Sequence, residues 1–213
     1  MDDRFAGYDV ETKRESLSWN DATREALARR KALEVPAGVL TDTQLATLAK
    51  AKERLCPEFP GRAPTTTVAM IVDQIARDAG DGTRNHRLPP FAECWRRGLD
   101  ALEAEARALH EQAFAVLSPQ QADDLLHAVS QGKVEASQWQ DLPPKLFFSS
   151  RLLNDLVAAH WAQPQAWSAM GFGGPASPRG YVRLAANRRD PWEAVEQGDT
   201  PRFGLPRRAG GKS

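Results

Sequence analysis

Gly171-Phe172-Gly173-Gly174-Pro175-Ala176-Ser177-Pro178-Arg179-Gly180-Tyr181 decides how this chain is read. Four glycines and two prolines in so short a span cannot continue a helix. Glycine tolerates positive φ, and proline fixes φ and removes a backbone donor. The stretch therefore divides the chain: the residues before it carry helical patterning, and those after it are extended and charged. Phe172 and Tyr181 give the loop apolar weight, so it is either clamped onto its own domain or presented to a partner. The expectation is presentation to a partner.

Working back from the loop, Pro143-Pro144 opens the most apolar segment, with Leu146, Phe147, Leu152, Leu153, Leu156, Val157 and Trp161. It is predicted as the long central core helix, leading directly into the glycine-rich stretch. Ser118-Pro119 is a cap-then-proline start, followed by Leu125, Leu126 and Val129 on one face and Gly132 as the stop. Asp123 and Asp124 there suit a helix N-terminal half rather than paired acid–base chemistry. Pro89-Pro90 starts a helix carrying the stripe Phe91, Trp95, Leu99, Leu102 and Leu109. Val68, Ile71, Val72 and Ile75 have helical spacing. Thr41 with Gln44 is a capping-box pair ahead of a face of Leu45, Leu48, Ala49 and Leu55. Asn20 caps a mostly polar helix that Val35-Pro36-Ala37-Gly38 ends. Before it, Phe5, Tyr8 and Trp19 mark an extended arm that docks its rings on the body or on a partner. No β-alternating run and no internal repeat interrupts this pattern.

The predicted fold is all-α: a single helical domain over residues 20–170, an N-terminal arm over 1–19, and a Gly/Pro-rich partner-binding loop with a charged tail over 171–213. The chain has 213 residues, 41% of them hydrophobic and 26% charged, the balance of an ordinary globular domain. Lys plus Arg equal Asp plus Glu at 28 each, which argues against a bulk nucleic-acid surface. No apolar run is long enough to cross a membrane. Residues Met1–Asp9 lack an export pattern, so the sequence-based expectation is cytoplasmic, or periplasmic if the chain travels with a partner. Cys56 and Cys94 fit reduced core thiols best, with one bridge or a bond to a partner left open.

Candidate chemistry is sparse. Gly171-Phe172-Gly173-Gly174-Pro175-Ala176 satisfies GxGxxA, but a helix precedes it and Pro178 and Gly180 follow, so the strand–turn–helix that cradles a pyrophosphate is missing. His86, His110, His127 and His160 have no metal-ligand spacing. Ser149-Ser150, beside Arg151, lacks a nucleophile elbow and is expected to be packing or surface. The tail alternates Tyr181, Arg183, Arg188, Arg189 and Trp192, a mixture suited to a protein interface more than to single-stranded nucleic acid.

Trp167 through Tyr181, followed by Asp190-Pro191-Trp192-Glu193, resembles the gluconate 2-dehydrogenase subunit 3 family. Leu55-Cys56-Pro57 closing an early helix, Gln120-Gln121 ahead of Leu125-Leu126, and the Pro144–Trp161 segment are similar as well. The resemblance implies a small helical accessory subunit of a bacterial flavoprotein sugar or sugar-acid dehydrogenase, not catalytic alone. It implies no cofactor in this chain and FAD in a large partner subunit of the glucose–methanol–choline type, with a cytochrome c subunit as a further partner. Many members begin with a twin-arginine signal that Met1–Val10 lacks. The expected interface residues are Phe172, Gly173, Gly174, Pro175, Pro178, Arg179, Gly180, Tyr181 and Trp192, with no catalytic or metal residues. The competing class is a stand-alone helical enzyme using His127, His160 and nearby carboxylates, and a more remote one is a helical nucleic-acid binder.

Overall fold

A computed structural model describes residues 3–80, 82, 85–177, 180, 192–196 and 198. Among these the regular structure is helical, apart from one isolated parallel bridge between Trp19 and Ser177. The chain divides into two compact units. One is built on the described residues of Met1–Lys31, Phe59–Thr65 and Ala162–Ser213, the other on Ala32–Glu58 and Thr66–Trp161. The segment expected as one helical domain, 20–170, is thus distributed over both, its first and last helices grouping with the chain ends.

The smaller unit holds α1 (Asp21–Lys31) and α8 (Pro164–Ala169); the larger unit holds α2 (Asp42–Leu55), α3 (Thr67–Ala76), α4 (Phe91–His110), α5 (Pro119–Gln131), α6 (Pro144–Phe147) and α7 (Asn154–Trp161). The local start signals act as expected. Thr41 accepts from Gln44 N at 3.2 Å while Gln44 accepts from Thr41 N at 3.1 Å, and Ser118 and Gln121 repeat the exchange at α5. Gly132, at φ 70°, closes α5. Pro90 has no side-chain acceptor to cap α4, so Asp78, itself at φ 46°, accepts from Ala92 N at 2.8 Å. That cap comes from another segment and is invisible to local pattern.

Two apolar faces differ from expectation. The buried face of α2 is Gln44, Thr47, Leu48, Ala51 and Lys52. Ala49 is exposed, because at about 3.6 residues per turn it falls well round the helix from the centre of that face. Gln44 sits inward because its amide donates to Asp100 Oδ1 on α4 at 2.9 Å. On α4, burial ends at Ala106, and Leu109 in the terminal turn is exposed ahead of the left-handed reversal at Glu111.

Mid-α4, Gly98 lies under the ring of Phe147, which packs edge-on to Trp95 at 6.2 Å and tilted to Trp139 at 5.8 Å. All three rings are buried. A second buried polar anchor is Glu105, whose carboxylate accepts from Glu135 N, Ala136 N and Trp139 Nε1 at 2.9, 3.0 and 3.1 Å. It fixes the loop after α5 from α4, a charge satisfied by three donors.

The expected single helix from Pro144 to Trp161 is continuous but not uniform. Between α6 and α7, Phe148–Leu153 is a π-helical segment. Phe147 and Leu152, five residues apart, are both buried, whereas Val157 and Trp161 stand 37% and 38% exposed. This segment does not run directly into the glycine-rich stretch: α8 (Pro164–Ala169) intervenes.

The smaller unit gathers a 3-10 turn at Val10–Lys13, α1 (Asp21–Lys31), α8 and the glycine-rich stretch around Val10, Trp19, Leu27 and Trp167. Asn20 caps α1 by accepting from Thr23 N at 2.9 Å. The N-terminal segment is not a plain extended arm: Asp9 accepts from Glu11 N at 2.9 Å and turns the chain.

Candidate functional site

The glycine-rich loop begins as the end of α8. Phe172 N donates to Trp167 O at 2.8 Å and Gly171 N to Ser168 O at 3.2 Å, the paired closing bonds of a Schellman cap. Gly171 is its left-handed residue, at φ 72°. Phe172 then makes the apolar contact such caps favour, its ring edge-on to Trp167 at 6.0 Å. The first glycine of the GxGxxA pattern is therefore a helix stop. A helix end presents carbonyls, not the N–H groups that a pyrophosphate needs.

Beyond the cap the loop lies against the N-terminal segment. A Cβ on Gly171 would come within 2.6 Å of the Phe5 ring, and one on Gly174, at φ 65°, within 3.1 Å of both Trp167 and Val10. Lys13, itself buried, donates through Nζ to Gly173 O. Ser177 N donates to Ser18 O and Asn20 N to Ser177 O, both at 2.9 Å. Of the expected interface residues, Phe172 keeps 38% of its surface, Gly174 is buried, and Gly173, Pro175 and Gly180 are half-buried. Trp192 is half-buried, its carbonyl accepting from Tyr8 Oη at 3.3 Å. Pro178, Arg179 and Tyr181 lie outside the described residues, as do Arg183, Arg188 and Arg189.

In the larger unit a cleft of about 900 Å³ opens between the Asp78–Gly80 turn, Pro90-Phe91 at the start of α4, and the π-helical segment. Ser149, Ser150 and Asn154 face it, and the Arg151 guanidinium lies 5.2 Å over the Phe91 ring and 3.5 Å from Asp155. Ser149 is exposed, donating Oγ to Lys145 O at 2.8 Å, and Ser150 is half-buried, as surface and packing residues are; what pattern reading missed is the π-helical turn that places them. The available signal was the five-residue spacing of Phe147–Leu152 and Phe148–Leu153, one residue longer than an α turn.

The histidines of the stand-alone enzyme reading are not brought into a common site. His127 is exposed on α5. His160 is buried on α7, Nδ1 3.4 Å from Thr67 Oγ1, and burial followed by the nearby Lys52 charge pushes its pKa below the usual histidine value, with Glu58 opposing. Lys52 itself is paired with Glu58. Among the described residues no three His, Cys, Asp or Glu side chains lie close enough to hold a metal. Cys56 and Cys94 are free and buried, and burial raises the Cys94 thiol to about 11, far from a reactive thiolate.

The chain is all-α in its described residues, with buried Glu105 bonded to its own backbone and the first glycine of the loop acting as a helix stop. Its relationship is specific: the chain matches the family described as gluconate 2-dehydrogenase subunit 3 over residues 42–174, and it belongs to that family. No curated protein and no solved structure gives a match. Among the described residues no helix is long and apolar enough to cross a membrane.

Proposed function

We propose that this chain is the non-catalytic small subunit of a bacterial FAD-dependent sugar or sugar-acid dehydrogenase complex. It supports assembly and stability of a flavin-bearing large subunit of the glucose–methanol–choline type, which holds the FAD and oxidises the substrate. A cytochrome c subunit is a further partner of such a complex. The observation that carries this reading is the family match, which covers most of the helical body and ends inside the glycine-rich loop. In support, Phe172, the exposed ring among the described residues of that loop, is held edge-on against Trp167 by the cap geometry, as an interface anchor should be.

The test is affinity purification of the tagged chain from its native host, reading the visible absorbance of the eluate. A flavin spectrum with a co-eluting large subunit, bleached by a sugar or sugar acid, is the expected result. A colourless, stable chain eluting alone refutes it. Phe172→Ala and Trp192→Ala should each reduce recovery of the large subunit while the helical circular dichroism of the purified chain stays unchanged. Full recovery from both variants removes these residues as anchors.

A further inference from the structure

We infer that residues 3–20 form a strap that holds the glycine-rich loop in one shape, and that Arg62 is the positioning residue that pins it. The partner-facing consequence rests on the function proposed above; the strap itself does not.

The family match begins at residue 42, so this segment lies outside the matched span, whereas Gly171–Gly174 lie within it. Glycine at 171, 173 and 174 gives the loop more backbone freedom to lose than other residues would there, so outside contacts are needed to keep it in one shape. The N-terminal segment supplies them at successive positions along the loop. Val10 N donates to Ser168 Oγ at 3.0 Å, just before the cap. The Phe5 ring closes over Gly171, Lys13 holds the Gly173 carbonyl, and Val10 meets Gly174. Ser18 and Asn20 then pair with Ser177 across a parallel bridge. A side chain at 171 would occupy the space of the Phe5 ring, and one at 174 would press on Val10 and Trp167.

The strap is fastened at its start by one side chain. Arg62, in the turn between α2 and α3, donates from Nε to Asp3 Oδ2 at 2.6 Å, from Nη2 to Phe5 O at 2.8 Å and from Nη1 to Tyr8 O at 3.0 Å. Its side chain and that of Asp3 are each only 12% exposed. A guanidinium offers these donors in one rigid plane, an arrangement an ammonium cannot reproduce. Arg62 thereby fixes the turn that carries Phe5 onto Gly171 and Tyr8 onto the Trp192 carbonyl. A loop ordered before binding loses less entropy on docking, so the strap raises affinity without touching the partner.

The test compares hydrogen exchange by mass spectrometry in the full-length chain and in Arg62→Ala, Arg62→Lys and Phe5→Ala. Exchange of the amides of residues 171–177 should accelerate about ten- to hundredfold in the two Arg62 variants, the equivalent of losing a hydrogen bond to a charged group, and should also accelerate in Phe5→Ala, which loses the ring over Gly171. The α4 amides, in a separate core, should keep their wild-type rates. Unchanged exchange at 171–177, or equal acceleration of α4, overturns the strap. The same variants are then used in the affinity purification. Lower recovery of the flavoprotein is expected, and recovery equal to wild type overturns the gain in affinity attributed to the strap. If wild type itself recovers no flavoprotein, it is the proposed function that fails, and the exchange rates still decide on the strap.

Discussion

Replacing Gly98 by alanine sets two effects of opposite sign against each other. In an exposed helix interior the change is favourable by about 1 kcal/mol, because alanine is the better helix former. At this position the added Cβ would fall 2.6 Å from Phe147 Cδ2 and closer still to Cε2 and Cζ. Carbon atoms in ordinary contact stand about 3.5–4.0 Å apart, so the ring has to move by about 1 Å or more. It has nowhere to go: Phe147 is fully buried, with Trp95 on one side and Trp139 on another, both buried too. Overpacking of this kind costs about 1–3 kcal/mol and sometimes more, and a rigid ring wedged between two indoles belongs at the upper end. The net expectation is a loss of about 2 kcal/mol, a fall in Tm of about 4–8 °C for a chain of this size. Thermal unfolding followed by circular dichroism measures it. Phe147→Leu opens space at the same point, so the double variant should be less destabilised than the two single changes added together, by about 1 kcal/mol or more. A Gly98→Ala protein as stable as wild type, or strict additivity with Phe147→Leu, would refute the packing argument.

Two further outcomes follow from buried ionisable groups. Glu105→Ala leaves two backbone N–H groups and the Trp139 indole without their acceptor, and should cost about 3–5 kcal/mol in urea unfolding, with Glu105→Gln losing less because its carbonyl oxygen still accepts. A loss under about 1 kcal/mol for Glu105→Ala would mean that the 135–139 loop finds other partners. For His160 the folded pKa lies below its ordinary value of 6.5, chiefly through burial. Above 6.5 the ring is neutral in both folded and unfolded chains, so its contribution is fully present. As pH drops from 6.5 towards the folded value, only the unfolded chain takes up the proton, and stability declines through that window. Urea midpoints at pH 7.5 and about 5.5 should therefore differ more for wild type than for His160→Gln. Equal slopes would show that His160 titrates alike in both states.

Much of the fold was legible because its signals are local. Thr41 with Gln44, Ser118 with Gln121, and Gly132 act within one turn of chain, where side chain and backbone meet whatever the rest of the molecule does. The stripes of α3 and α5 were readable for the same reason, since burial there follows helical period alone. What failed depended on distant residues. Asp78 caps α4 from across a turn, and Gln44 becomes a core residue only because Asp100 stands opposite. Ala49 and Leu109 have the composition of buried residues but no neighbour to cover them. The π-helical segment left a trace in five-residue spacing, too short a trace to tell from irregularity.

The loop divides the two kinds of information most clearly. Sequence alone determined that no helix continues through Gly171, because glycine and proline act over a few bonds. It also carried the family resemblance, which the family match supports over residues 42–174. Whether the loop stands free or is held was decided only by tertiary structure. The answer depends on Phe5, Val10, Lys13 and Arg62, which are more than a hundred residues away along the chain. Contacts at that separation are set by how the whole unit packs, and no local pattern encodes them.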